Sequence, residues 1–542
     1  MNRSRQHPLI SGARITSLGT LFSRILGMLR DMATASLLGG GGVMDAFVIA
    51  FRIPNLFRRL FGEGALTASY LPVLTAQWER DPQTARQLAT VVVVLLTAFL
   101  TGLVALGELL CGVIWYFWGD AAGMGLLVGL AAVMLPYLLL ICVAAQLTTM
   151  LYASRHFTVP ALTPCMLNIV WLLAAWTVAP WFAPDRIAQA YVLAVSVLVA
   201  GVTQVLVQLP MLRKLGYHFD FNWSASREGV RQIVRNMAPM LIGLAAIQIN
   251  TFIDSLIAWG LAASPDGPQR IPWLGEAVQY PMKQGAAAAI YFGERLYEFP
   301  LSIIGTAVAV AIFPLLSRHA ARGDHRQLGE DMSLGLRLVI CLGIPASAGL
   351  MLLADPITRL IFEHGNFHAA DTARAARMIV WYATGVWAYC ASPVIVRGFY
   401  AMNDSGTPAR LAGWMVGLNL ALNLTLIWPM AEAGLALATA VSAAVQVFLL
   451  TAIFSRRKAS LDHRGLCVTV ARTVVATLVM SGLVWFALEQ MPVSGRLTLQ
   501  AVRVCVPATL GVAGYCLAYW LLGGRELGML LGRKSVENQE ER

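Results

Sequence analysis

The chain has 542 residues, of which 58% are hydrophobic and only 13% charged, with a mean hydropathy of +0.66. A soluble domain carries roughly twice that share of charge, so a soluble enzyme, a disordered chain and a coiled coil are excluded. A single anchor is excluded too, because apolar residues run along almost the whole sequence. The composition describes an all-α polytopic membrane protein. Its 40 Lys and Arg against 29 Asp and Glu give a net charge of +11. That excess belongs in cytoplasmic loops, and little soluble surface remains for a nucleic-acid site.

A bilayer core of about 30 Å takes roughly 20 apolar residues per helix. Residues 1–13 hold no short apolar run ending in a cleavage site, so no removable signal peptide is expected. Apolar runs then fall near 12–37, 43–60, 88–117, 124–153, 158–182, 188–212, 236–262 and 285–316. Six more lie near 335–354, 376–402, 407–429, 432–454, 468–488 and 499–523. This predicts about fourteen spans, the second and eighth of which carry charges.

With the N-terminus inside, 26 Lys and Arg fall in inner segments. Only Arg186, Arg270, Lys283, Arg359, Arg374, Arg377 and Arg496 fall outside. So strong an asymmetry over short loops puts both termini in the cytoplasm. Aligning Pro72 with Pro314 also brings Ala65 onto Ala307 and Leu74 onto Leu316. Two six-helix halves related by an axis along the membrane normal are a transporter plan, although apolar helices also resemble one another by chance. The division expected is an N-lobe over 1–235, a C-lobe over 236–464 with an external loop near 262–289, and an appended pair of spans with a tail over 465–542.

Seven basic residues are left within or at the edges of spans: Arg24, Arg30, Arg52, Arg295, Arg397, Arg472 and Arg503. A charge at a helix centre costs at least about 2.5–3.5 kcal/mol, so each needs a counter-ion or a wet cavity. Ser23, Gly27 and Arg30 share one helical face. Asp45, Ile49 and Arg52 share another, and Glu294, Arg295 and Glu298 lie within one turn. Snorkelling ends and structural ion pairs fit Arg58, Arg59, Arg397 and Arg503. They fit Arg24, Arg30 and Arg295 less well, and the nearby carboxylates (Asp31, Asp45, Glu294 and Glu298) look too few and scattered to neutralise these three. A cavity lined by them suits an anion, with guanidinium groups gripping phosphate oxygens in pairs.

Asp254, a carboxylate inside the seventh span, is a candidate Na+ or H+ coupling site; a structural hydrogen-bonded Asp reads equally well. All eight histidines fall outside the membrane core, and the eight cysteines read as small core residues with no CxxC pair. No metal site and no resident cofactor is expected, and the lack of a GxxxxGK[ST] loop argues against direct use of ATP. Energy would come from a coupled ion or the membrane potential. Gly39, Gly40, Gly41 and Gly42 join the first two spans and, with Gly27, are candidate hinge positions; a tight turn is the plainer reading.

The stretch Phe22-Ser23-Arg24-Ile25-Leu26-Gly27-Met28-Leu29-Arg30-Asp31, then Met44-Asp45-Ala46-Phe47, then Arg52-Ile53-Pro54-Asn55-Leu56-Phe57-Arg58-Arg59-Leu60-Phe61-Gly62-Glu63-Gly64-Ala65 resembles the MviN/MurJ family of lipid II flippases. The segments Gly293-Glu294-Arg295-Leu296-Tyr297-Glu298-Phe299-Pro300 and Phe399–Pro408 do so as well. The resemblance implies a member of the multidrug/oligosaccharidyl-lipid/polysaccharide exporter superfamily, with two six-helix lobes and two extra C-terminal helices in the bacterial inner membrane. It implies no enzyme but a flippase for the undecaprenyl-pyrophosphate-linked disaccharide peptide of peptidoglycan synthesis. The headgroup would sit in a central cationic cavity and the polyprenyl tail in a groove beside the last two helices. Family positions implicated in substrate binding match Ser23, Arg24, Arg30, Asp45, Arg58, Glu63 and Arg295, and also Arg472. Membrane lipids and the cell-wall synthesis machinery are the partners implied, with no nucleic acid. The segment from Ala262 to Ala289 is longer than the family's usual connection. A cation-coupled drug exporter, another lipid-linked oligosaccharide exporter of the superfamily and a non-transporting scaffold remain as alternatives.

Overall fold

The computed structural model describes residues 6–530 apart from 63, 122, 266, 268 and 272–277. It is all-helical but for one pair of two-residue strands. The helices are α1 (Gln6–Leu38), α2 (Gly42–Phe57), α3 (Ala65–Arg80), α4 (Pro82–Trp118), α5 (Met124–Met134), α6 (Tyr137–Ala153), α7 (Thr158–Leu173), α8 (Arg186–Leu206), α9 (Leu209–Lys214) and α10 (Trp223–Gly260). Strands β1 (Ala262–Ala263) and β2 (Met282–Lys283) follow and pair in parallel. Then come α11 (Ala286–Pro300), α12 (Thr306–Arg322), α13 (His325–Leu352), α14 (Ala354–Phe362), α15 (Ala369–Ala383), α16 (Val386–Ala401), α17 (Gly406–Met430), α18 (Glu432–Arg457), α19 (His463–Glu489), α20 (Leu497–Leu521) and α21 (Glu526–Leu530).

Every expected span coincides with helix. Ten continuous helical stretches among the described residues are long and apolar enough to cross a bilayer, and α15 with α16 makes one more, bent by 44°. The other three are α1, α2 and α10, in which charged residues or short length interrupt the apolar run. Several helices start where an acid or amide caps the first turn. Asp81 accepts from the backbone of Gln83 at 3.0 Å at the head of α4, and Asp324 from Gln327 at 3.0 Å at the head of α13. At the C-terminal end of α4, Trp115, Tyr116, Phe117 and Trp118 are all more than half exposed, the pattern of a membrane-interface aromatic belt.

The internal repeat is visible in local geometry. A π-helical turn at Arg58–Gly62 follows α2, and another at Leu301–Gly305 follows α11. Placing Pro72 on Pro314 superposes these turns almost in register, lays α3 on α12 and brings the Asp81 cap next to the Asp324 cap. Pro54 and Pro300 each remove a backbone donor just before the turn, which loosens the α-helical ladder where it widens.

The chain forms two compact units, one of residues 1–288 with 364–368 and one of 289–363 with 369–542. Helix α10 packs against α3 and α4 within the first unit. In that unit α1 packs on α7 and α2 on α5, around Phe47, Phe51 and Trp171, whose rings meet edge to face at 5.5 and 5.1 Å. In the second, α13, α16 and α18 enclose Val339, Val394, Phe399 and Phe454. A smaller core of Cys341, Met480, Val484, Tyr515 and Tyr519 fixes α19 and α20 to α13.

The segment after α10 doubles back. Gln284 donates to Ala263 O at 3.0 Å, Ile271 to Val278 O at 3.0 Å and Tyr280 to Gln269 O at 3.2 Å. Fully buried Ile271 and nearly buried Met282 anchor this arm.

Candidate functional site

In the first unit one polar group lies on α1. Its shared face, Ser23, Gly27 and Arg30, meets Asn168 of α7. The Asn168 amide donates to Ser23 O at 3.0 Å, and its Oδ1 accepts from Arg30 Nη1 at 3.2 Å. Arg30 Nε and Nη2 both donate to Asp31 Oδ1, at 3.1 and 2.8 Å. The guanidinium lies 5.0 Å from the Trp171 ring centroid and 6.0 Å from that of Phe51. Arg30 is therefore enclosed, at 9% exposure, by a carboxylate, an amide and two rings. Arg24, nearly two turns earlier, is exposed, and Ser23 is half-buried.

Asp45 is 1% exposed and acts as a cap. Oδ2 accepts from Gly285 N at 2.5 Å and Oδ1 from Ala288 N at 2.7 Å, so one carboxylate of α2 satisfies two orphan donors at the head of α11. Negative charge at a helix N-terminus is favoured by the helix dipole as well. Arg52, on the same face of α2, donates to Thr251 O of α10 at 2.8 Å. Arg58 begins the π turn and donates from Nε to Asn55 Oδ1 at 3.0 Å. Glu63 lies outside the described residues. Asp254 is 3% exposed on α10.

The glycine junction is pinned at one end. Gly39 adopts φ +70° and a Cβ there would stand 2.6 Å from Asn366 O, so both backbone and space require glycine. Asn366 in turn donates to Ser36 O at 2.8 Å and from Nδ2 to Leu37 O at 2.7 Å. Gly40 is buried, Gly41 has nothing within 4 Å of its would-be Cβ, and Gly42 packs against the Gln284 side chain. Helix α1 runs unbroken through Gly27.

In the second unit Arg295 lies on α11, about a quarter exposed. It donates from Nη1 to Glu298 at 3.1 Å, with its guanidinium 4.5 Å from the Tyr291 centroid. Tyr297, two residues on, packs with its ring centroid 4.9 Å from those of both Tyr382 and Tyr389. Arg472 is half-buried on α19 beside the turn at Gly523. Arg30 and Arg295 thus have carboxylate partners, Asp31 and Glu298, where too few were expected. Arg295 and Glu298 are three positions apart on one helical face, whereas Arg30 reaches the next residue, Asp31.

Some polar residues of the spans gave no signal in the charge pattern. Asn168 sits in an apolar run, and only its amide set it apart. Asn419, Asn423 and Thr439 form a buried ladder between α17 and α18, with Asn423 donating to Asn419 at 2.9 Å and Asn419 to Thr439 at 3.3 Å.

Comparison with known proteins adds the decisive observation. The profile of the family described as "Lipid II flippase MurJ" matches residues 34–502. This chain belongs to the MurJ family. It is 33% identical over 533 residues to "Probable lipid II flippase MurJ" of Vibrio cholerae, covering 95% of this chain and 97% of that protein. It is 28% identical to "Lipid II flippase MurJ" of Burkholderia cenocepacia, covering 93% and 95%. Among solved structures, "Lipid II flippase MurJ, inward closed conformation" matches with a TM-score of 0.73 at 20% identity over 95% of this chain and 99% of that one. An inward-facing multidrug resistance MATE family transporter of the MOP superfamily matches with a TM-score of 0.63 at 14% identity, covering 80% and 95%. These two share the fold. This member of the family is accordingly a multi-pass membrane transporter and not an enzyme.

Proposed function

We propose that this MurJ family member flips lipid II across the bacterial inner membrane. The family match over residues 34–502 carries this reading, since relatives along nearly the whole length bear that name. The pyrophosphate headgroup would be held by Arg24, Arg30 and Arg295, with Ser23, Asp45, Arg58, Glu63 and Arg472 as supporting positions. Arg30 would enter the clamp by exchanging Asp31 or Asn168 for phosphate oxygens, a trade of one charge-assisted bond for another. Asp45 would act through the position of α11 rather than by touching an anion.

Transport would proceed by alternating access, with lobes divided near 235 and an appended helix pair after 464. Gly27 and the Gly39–Gly42 junction would absorb the bend, and Gly41 has the space for it. Both termini would be cytoplasmic, as the 26 inner basic residues favour. Asp254 is proposed as an ion-coupling carboxylate, with the membrane potential as the other energy source. The test is binding of lipid II by the purified chain against a panel of cationic drugs. Selective retention of lipid II is expected; preference for the drugs would overturn the reading in favour of a drug exporter, and retention of neither would favour a scaffold.

A further inference from the structure

A small open notch lies where α14 meets the start of α20 in the second unit. Asp355 and Arg359 line it from α14, and Ser494, Gln500 and Arg503 from the turn before α20 and its first two turns. Nε and Nη1 of Arg503 are both shut off from solvent, and neither has a hydrogen-bond acceptor. Arg359 Nε is in the same condition, although the rest of that guanidinium is held by Glu363 at 2.8 Å and Asp355 at 3.5 Å. Gln500, 9% exposed, lines the notch with an Oε1 that receives no hydrogen bond.

Buried polar groups are almost always satisfied, and an arginine in apolar surroundings is costly without an acceptor. The closed part of the notch is water-sized, but one water brings no charge and cannot serve three N–H donors. A phosphate at the mouth brings that charge. Its oxygens can take one of the two Arg503 donors, which lie on opposite edges of the guanidinium, together with Arg359 Nε and the hydroxyl of Ser494, whose oxygen already accepts from Arg496 N at 3.2 Å. Gln500 joins once its amide turns to present nitrogen. Asp355 is the carboxylate on this lining; it is half-exposed and engaged by Arg359, so its repulsion is blunted.

The surroundings distinguish a lipid from a free ion. Leu499, Val502 and Val506 descend α20 from the notch at helical spacing, at 42%, 46% and 38% exposure. Such a stripe gives an acyl chain a surface to lie on and offers nothing to inorganic phosphate. We propose that the notch binds the phosphodiester headgroup of a membrane glycerophospholipid, gripped by Arg503 and Arg359, with an acyl chain along that stripe. The orientation proposed above places it in the outer leaflet, and the chemistry of the site does not depend on that placement.

Native mass spectrometry of the full chain in detergent tests this with three probes: phosphatidylglycerol, diacylglycerol and inorganic phosphate. A saturable phosphatidylglycerol adduct is expected, without a diacylglycerol adduct and without displacement by millimolar phosphate. Arg503→Gln should weaken that adduct about tenfold. Gln500→Glu, which leaves both arginines in place and adds a repelling carboxylate, should do the same and decides the matter if the first variant does not fold. Wild-type affinity for phosphatidylglycerol in the folded variants overturns the proposal. Equal uptake of diacylglycerol does so as well, since the phosphate would then be irrelevant; displacement by inorganic phosphate would show a free-anion site instead.

Discussion

Arg337 grips Glu526 with a fork: Nε and Nη2 donate to the same carboxylate oxygen at 3.1 and 2.8 Å, although 189 positions separate the two residues. Thr469 donates to that oxygen at 2.9 Å, and Tyr519 to the other at 2.7 Å. Helices α13, α19, α20 and α21 therefore converge on one carboxylate that is 1% exposed. Burial alone would raise its pKa. The hydrogen bonds from Tyr519, Arg337 and Thr469 outweigh burial and hold it down at about 2.

Because the folded pKa is depressed, the stabilisation from Glu526 is complete above the ordinary carboxylate value of 4.5 and is lost as pH falls from there through about 2. Glu526→Gln should lower the thermal midpoint at neutral pH, by the equivalent of about 1–3 kcal/mol for disrupting a buried hydrogen-bonded group. It should also flatten the acid side of the stability profile. Thermal unfolding in detergent between neutral pH and pH 3 measures both, and an unchanged midpoint would show the fork to be energetically idle.

Asp45 makes a second long-range claim. Asn at this position keeps the shape but offers one acceptor and one donor to two backbone N–H groups, so one of them loses its partner. Asp45→Asn should cost about 1.5–3 kcal/mol, as expected for charge-assisted bonds. Hydrogen exchange should rise at Gly285 and Ala288 ahead of other positions in α11. Protection unchanged at those two amides would show that the cap does not hold the helix.

The spans were legible because bilayer thickness sets helix length, and hydropathy records it directly. The repeat was legible at Pro72 and Pro314, since a proline marks its position in an otherwise uniform apolar helix. The partners were less so. Ser23, Gly27 and Arg30 follow from a 3.6-residue period, but nothing in that period names Asn168, which is 138 positions from Arg30. Asp45 read as a charge on the face of Arg52 and turned out to cap α11, because a helix N-terminus competes for carboxylates as effectively as a guanidinium does. Glu526 lies beyond the last apolar run, where hydropathy carries no information about burial.

The proposed orientation can be read by labelling. Gln269 and Gln327 are both exposed, the first in the arm after α10 and the second at the head of α13. Cysteines placed there, in a chain without its native cysteines, should react oppositely with an impermeant maleimide applied to intact cells. Position 269 should label and position 327 should not. The reverse result would invert the whole map.

The proposed headgroup clamp gives the most exposed prediction, because its members differ in their surroundings. Arg30 is enclosed by Asp31, Asn168 and Trp171, so Arg30→Ala strands a buried carboxylate and should cost about 3–5 kcal/mol along with activity. Arg295 is a quarter exposed and held by Glu298 on its own helix, so Arg295→Ala should leave folding nearly intact, in the range of about 0–1 kcal/mol for such pairs. Lipid II flipping should nevertheless slow at least tenfold, a rise of about 1.4 kcal/mol or more in the transport barrier. Arg295→Lys should restore only part of it, keeping the charge but losing the planar fork. Arg397 serves as control: its guanidinium lies 5.6 Å from the Phe313 ring, and Arg397→Ala should retain substantial activity. Flipping assayed in proteoliposomes alongside thermal unfolding separates the two kinds of arginine. If Arg295→Ala inserts, folds and still flips lipid II at a near-native rate, Arg295 is not part of the clamp.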